Sequence, residues 1–119
     1  LSEHEIQKAF FQWLAFKNPK VYRLAFAIPN GGHRHIAVAA KLKAEGVKSG
    51  VPDIFIPVAQ KGFHGLFIEV KTEKGTPTKA QLIMMDELAS QGYMVVLCKG
   101  LDAIIDTVES YFHEVTVNY

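Results

Sequence analysis

Apolar residues recur at helical spacing from residue 3 to about residue 17, with Ile6, Phe10, Trp13 and Leu14 marking one face. Ser2 fits the N-cap, and Glu5 three residues on completes a capping box. Phe11 and Phe16 carry apolar surface beyond that stripe, more than a lone amphipathic helix needs. Asn18-Pro19 predicts the stop. Residues 21–28 then have a strand pattern, followed by the tight loop Pro29-Asn30-Gly31-Gly32. A second helix is predicted over about 33–45, closed by Gly46. A short apolar run, Ile54-Phe55-Ile56, opens at Asp53, and a second, Gly65 to Lys71, follows a turn. Beyond a polar loop, a third helix is predicted over about 77–90. A strand follows over 93–98, and a last helix over about 101–113 after Gly100. The order α-β-α-β-β-α-β-α predicts an α/β fold, a mixed central sheet flanked by helices. No repeat or linker divides residues 1–119, so a single domain is expected.

Two of these strands carry acid where a core would want hydrocarbon. Alternation places Phe67, Glu69 and Lys71 on one face and Leu66, Ile68 and Val70 on the other. If the two runs pair, Asp53 comes near Glu69 and Lys71. Two half-buried carboxylates repel unless something neutralises them. A lysine and a hard divalent cation would do so, and oxygen donors suit Mg²⁺ or Mn²⁺. Each residue also has a plain structural explanation. An Asp after Pro is common in turns, and Glu69 and Lys71 fit a solvated edge strand. Against the second, the run from Gly65 to Val70 is otherwise apolar, as on an inner strand. Thr78-x-x-Gln81 matches a capping box, but Pro77 at the first helical position would make Thr76 the N-cap and free Gln81.

Charge narrows the partners. With 13 basic and 12 acidic residues the net charge is +1, so a nucleic-acid surface has to be a local patch. The most basic stretch holds Arg34, Lys41, Lys43 and Lys48 against Glu45 alone. Asn30, Gly31 and His33 precede it, in a loop where backbone N–H groups at a helix start would clasp phosphate. Lys74 and Lys79 add to the patch. His33-x-His35 has no second ligand pair for zinc, and neither a nucleophile elbow nor a phosphate-binding loop is present. No small-molecule cofactor is therefore expected. Cys98 is the single cysteine and lies in an apolar run, so a buried thiol in a reducing cytoplasm is expected. No apolar run approaches 18 residues, which argues against a membrane span. The chain opens on Leu1 rather than Met, which leaves room for residues upstream.

Asp followed, after a gap, by Glu-x-Lys resembles the PD-(D/E)xK nucleases. Gly50-Val51-Pro52-Asp53, Ile68-Glu69-Val70-Lys71, Thr78-x-x-Gln81 and the Glu-rich opening helix together resemble the stand-alone VRR-NUC domain of phages and bacteria. The likeness runs from about Ser2 to about Asp102. It implies a restriction-endonuclease-like core and hydrolysis of DNA phosphodiesters with Mg²⁺ or Mn²⁺. It implies that Asp53, Glu69 and the Val70 carbonyl bind the metal, and that Lys71 holds the attacking water or stabilises phosphate charge. It also implies that Gln81 and an acid on the first helix face the site; Glu3 is chosen over Glu5. Branched or Holliday-junction DNA and the cytoplasm of a bacterial host are implied as substrate and location. The apolar excess on the first helix suggests a homodimer. Two alternatives stay open: a nuclease-like module that only binds DNA or a partner, and a glycosidase-type carboxylate pair, for which Lys71 has no use.

Overall fold

The computed structural model describes residues 1–29 and 36–113. Helix α1 (Glu3–Lys17) begins with the expected reciprocal cap: the Ser2 hydroxyl accepts the Glu5 N–H, and the Glu5 carboxylate accepts the Ser2 N–H. Ile6, Phe10 and Leu14 form its buried stripe.

Asn18-Pro19 ends α1 but does not end helicity. The Asn18 side chain accepts the Val21 N–H at 3.2 Å, and Pro19 takes the first helical position, where a missing N–H costs nothing. A new helix, α2 (Pro19–Leu24), starts at once. The strand expected over 21–28 is thereby cut to β1 (Phe26–Ala27), and the predicted order gains one helix. Helix α2 also absorbs much of the apolar excess of α1. The Phe11 ring meets Phe10 at 5.4 Å and Tyr22 at 6.5 Å, which leaves Phe16 standing out at 89% exposure.

After residues 30–35, α3 (Ile36–Ala44) leads through a left-handed Gly46 (φ +101°) toward β2 (Ile54–Ile56). The expected glycine loop and the predicted helix start at His33 lie outside the described residues. Strand β2 pairs antiparallel with β1 on one side and with β3 (Leu66–Lys71) on the other. Helix α4 (Lys79–Ser90) then crosses over, so β4 (Met94–Lys99) lies parallel to β3. The last element is α5 (Leu101–Phe112), and the sheet order is β1-β2-β3-β4.

All six residues of β3 are buried, as an inner strand requires. Its even-numbered side chains, Leu66, Ile68 and Val70, join Ile54, Ile56 and Cys98 beneath α1 and α5. Ile104, Val108 and Tyr111 supply the α5 side of this core, and the Tyr111 hydroxyl is held by the Val58 carbonyl at 2.6 Å. The Cys98 thiol is 1% exposed, and burial pushes its pKa up. The opposite sheet face carries Phe67, Glu69 and Lys71, with Phe55 stacked on Phe67 at 4.3 Å. Helix α4 lies over this second face. Among the described residues no helix is long and apolar enough to cross a membrane.

Candidate active site

The β2–β3 register pairs Ile54 with Ile68, which brings Asp53, one step before β2, alongside the Glu69-Val70 peptide. Asp53 is pinned twice. Its backbone carbonyl accepts the Ile28 N–H at 2.7 Å, and its Oδ2 accepts the Val70 N–H at 2.7 Å. The N–H and C=O of one strand residue point the same way, so the Val70 carbonyl also turns toward Asp53. Two carboxylates and one backbone carbonyl therefore converge at the end of β2.

Glu69 is 1% exposed, among the most enclosed groups in the chain. Its Oε1 accepts the Gln81 amide N–H at 3.1 Å and lies 3.9 Å from Lys71 Nζ. Its Oε2 is buried with no hydrogen-bond partner. Burial is the main cause that pushes the Glu69 pKa from 4.5 up to about 8, followed by the Asp53 charge and by the hydrogen bond that a protonated Glu69 shares with Asp53; Lys71 opposes them. At neutral pH this carboxyl therefore holds a proton unless another positive charge replaces it. Lys71 is itself 8% exposed, an ammonium enclosed beside the acid pair.

Gln81 does two things with one side chain. Its carbonyl accepts the Thr78 N–H at 2.8 Å while its backbone N–H donates to the Thr78 hydroxyl at 3.2 Å, a complete capping box. Thr76 is not the N-cap, because the Thr78 box satisfies two end groups that would otherwise be orphaned. The amide nitrogen, which the box leaves free, is the group that reaches Glu69. One end of the Gln81 amide thus caps α4 while the other reaches Glu69.

On α1, Glu5 is tied into the Ser2 cap, whereas the Glu3 charge is felt at Glu69 and raises its pKa further. Asn30, Gly31, His33 and Arg34 lie outside the described residues. Lys41 and Lys43 are exposed on α3, and Lys48 is exposed after it. Among the described residues no hydrogen bond or ion pair ties these three to the carboxylates.

One basic group went unnoticed in the sequence. The parallel register sets Lys99 directly beside Lys71. Both lie near a cleft of about 730 Å³ at the carboxyl ends of β3 and β4, which Lys99 lines with Thr72, Glu73, Lys74 and Leu101. The β3–β4 pairing was the missing piece, since nothing local marks Lys99.

The oxygen donors suit a hard dication. The buried, unpartnered Glu69 Oε2 needs a proton or a cation, and the neighbouring Asp53 favours the doubly charged choice. Among the described residues no three His, Cys, Asp or Glu side chains form a cage. Mg²⁺ and Mn²⁺ take one or two carboxylates and complete their shells with other oxygens.

No curated protein matches the chain closely enough to lend it a function. A solved structure described as a VRR_NUC domain protein superposes with a TM-score of 0.83 at 33% identity, covering 94% of this chain and 88% of that one. The sequence profile of the VRR-NUC domain matches residues 1–102. On a match of that extent, the chain belongs to the VRR-NUC family and has its nuclease-like fold.

Proposed function

We propose that the protein is a divalent-metal-dependent nuclease that hydrolyses DNA phosphodiesters. The observation that carries this reading is the buried, unpartnered Glu69 Oε2 beside a second carboxylate and an enclosed lysine. Asp53, Glu69 and the Val70 carbonyl would hold Mg²⁺ or Mn²⁺. A bound dication supplies Lewis acidity, neutralising phosphate charge and easing ionisation of the attacking water. Asp53 is oriented by the Val70 N–H and Glu69 by the Gln81 amide, so neither carboxylate has to be ordered at the moment of reaction. Lys71 sets its ammonium against the charge that develops on the phosphate, or orients the water. Glu3 adds negative potential that favours cation entry. Lys74 and Lys99 at the neighbouring cleft, with Lys48, guide the DNA backbone. The domain acts as a twofold pair, so that two sites cut two strands of a branched substrate.

The test is incubation with linear, flapped and four-way DNAs in Mg²⁺, Mn²⁺ or EDTA. Cleavage is expected with either metal and not in EDTA. The Asp53→Ala variant should keep its circular dichroism spectrum and lose at least about a thousandfold in rate. Equal cleavage by variant and parent, or cleavage that survives the chelator, would overturn the mechanism.

A further inference from the structure

Among the described residues two surfaces are both apolar and exposed. In α3 seven of nine residues are apolar, yet none is buried. Ile36 is 85% exposed and Val38 48%. A helix this rich in apolar residues normally buries a face. Helix α4 has no buried residue either, and Leu82 and Ile83 are 52% and 50% exposed. Between α4 and the edge strand β4 runs a groove of about 610 Å³, whose apolar lining is Leu82, Ile83, Met85, Ala89, Val95 and Leu97. Among the described residues β4 is the last strand of the sheet, and an apolar edge strand invites association.

The charges of the two surfaces are opposite. Helix α3 carries Lys41 and Lys43 and no acid. Asp86 lines the groove, and Glu87 follows it on α4. The chain returning from α3 also passes Gly50, which lies against Ala80 in the first turn of α4.

We propose that α3 of a second copy occupies the α4–β4 groove. A twofold axis makes the contact twice, each copy giving its α3 and receiving the other's, which closes the assembly at two chains. The docking names the surface of the twofold pair put forward above and rests on that reading. DNA suits α3 less well, because Ile36 and Val38 offer methyl groups where phosphates want donors.

Light scattering on the parent, Ile36→Glu and Ile83→Glu tests this without reference to activity. Both sites are exposed in the single chain, so folding is preserved, which circular dichroism checks. The parent is expected to be a dimer at micromolar concentration. Each variant should raise the dimer dissociation constant about a hundredfold or more, because each loss counts twice. A mixture of Val38→Cys and Ile83→Cys proteins should form a disulfide-linked dimer that neither forms alone; the native Cys98, 1% exposed, does not compete. A monomeric parent overturns the docking and the twofold part of the proposed function, while the hydrolytic part keeps its own metal test. A dimeric parent whose variants stay dimeric overturns the docking alone. Variants that stay dimeric and lose DNA binding assign α3 to DNA instead.

Discussion

Replacing Glu69 with Gln in metal-free protein should change how stability depends on pH. Glu69 titrates at about 8 when folded and near 4.5 when free. Between those values the folded chain keeps a proton that the unfolded chain has released. The linked stability is whole below pH 4.5 and is lost as pH rises through about 8. At about 1.4 kcal/mol per pH unit, the gap sets a ceiling of about 5 kcal/mol. Local relaxation and water entry at the rim reduce this, so about 3 kcal/mol is the expected size. An amide carries no such proton, and its oxygen still accepts from Gln81. In EDTA, urea unfolding at steps from pH 5 to 8.5 should therefore show the parent falling by about 3 kcal/mol relative to Glu69→Gln. At pH 8, Mg²⁺ or Mn²⁺ should restore the parent and leave the variant nearly unchanged. Parallel pH profiles for the two proteins would refute the assignment of a proton to this buried carboxyl.

Three further outcomes are expected. Lys71→Met should lower the cleavage rate about 10²- to 10³-fold while calorimetry still detects Mn²⁺ binding, because the ammonium serves charge development and not metal capture. Gln81→Glu keeps an acceptor for the Thr78 cap but sets another carboxylate against Glu69, so metal-free stability at pH 8 should fall by about 1–2 kcal/mol and recover with metal, read by thermal melting. Gly50→Ala forces a Cβ to within 2.8 Å of the Ala80 carbonyl at a φ of +85°. The first turn of α4 must then move and take Gln81 with it, so both melting temperature and cleavage rate should drop; an unchanged rate would separate α4 from the site.

The acid-bearing strands were legible because a period of two leaves little freedom: Glu69 and Lys71 share a face whatever the register. Asp53 joined them on the assumption that consecutive apolar runs pair. The burial of β3 followed from the lack of any other polar residue between Gly65 and Val70. What escaped notice depended on geometry beyond the local pattern. Asn18-Pro19 carries the same letters whether it stops a helix or caps a new one, and the Asn18 side chain decided the matter. Gln81 looked like a choice between two roles because a sequence shows a residue and not the two ends of its amide. Lys99 became a neighbour of Lys71 only through the parallel crossover.

The hydrogen bond from Ile28 to the Asp53 carbonyl has a wider consequence. The chain departs for α3 just after Ile28 and comes home through the buried Gly50 and Pro52 to Asp53. The whole excursion is thus a detour with a clasped neck, and the neck is the acid residue itself. Grafting a longer, shorter or foreign detour there would leave the clasp in place, since closure entropy grows only slowly with length. On the docking proposed above, exchanging that one segment would change the assembly surface while the carboxylates stay where they are.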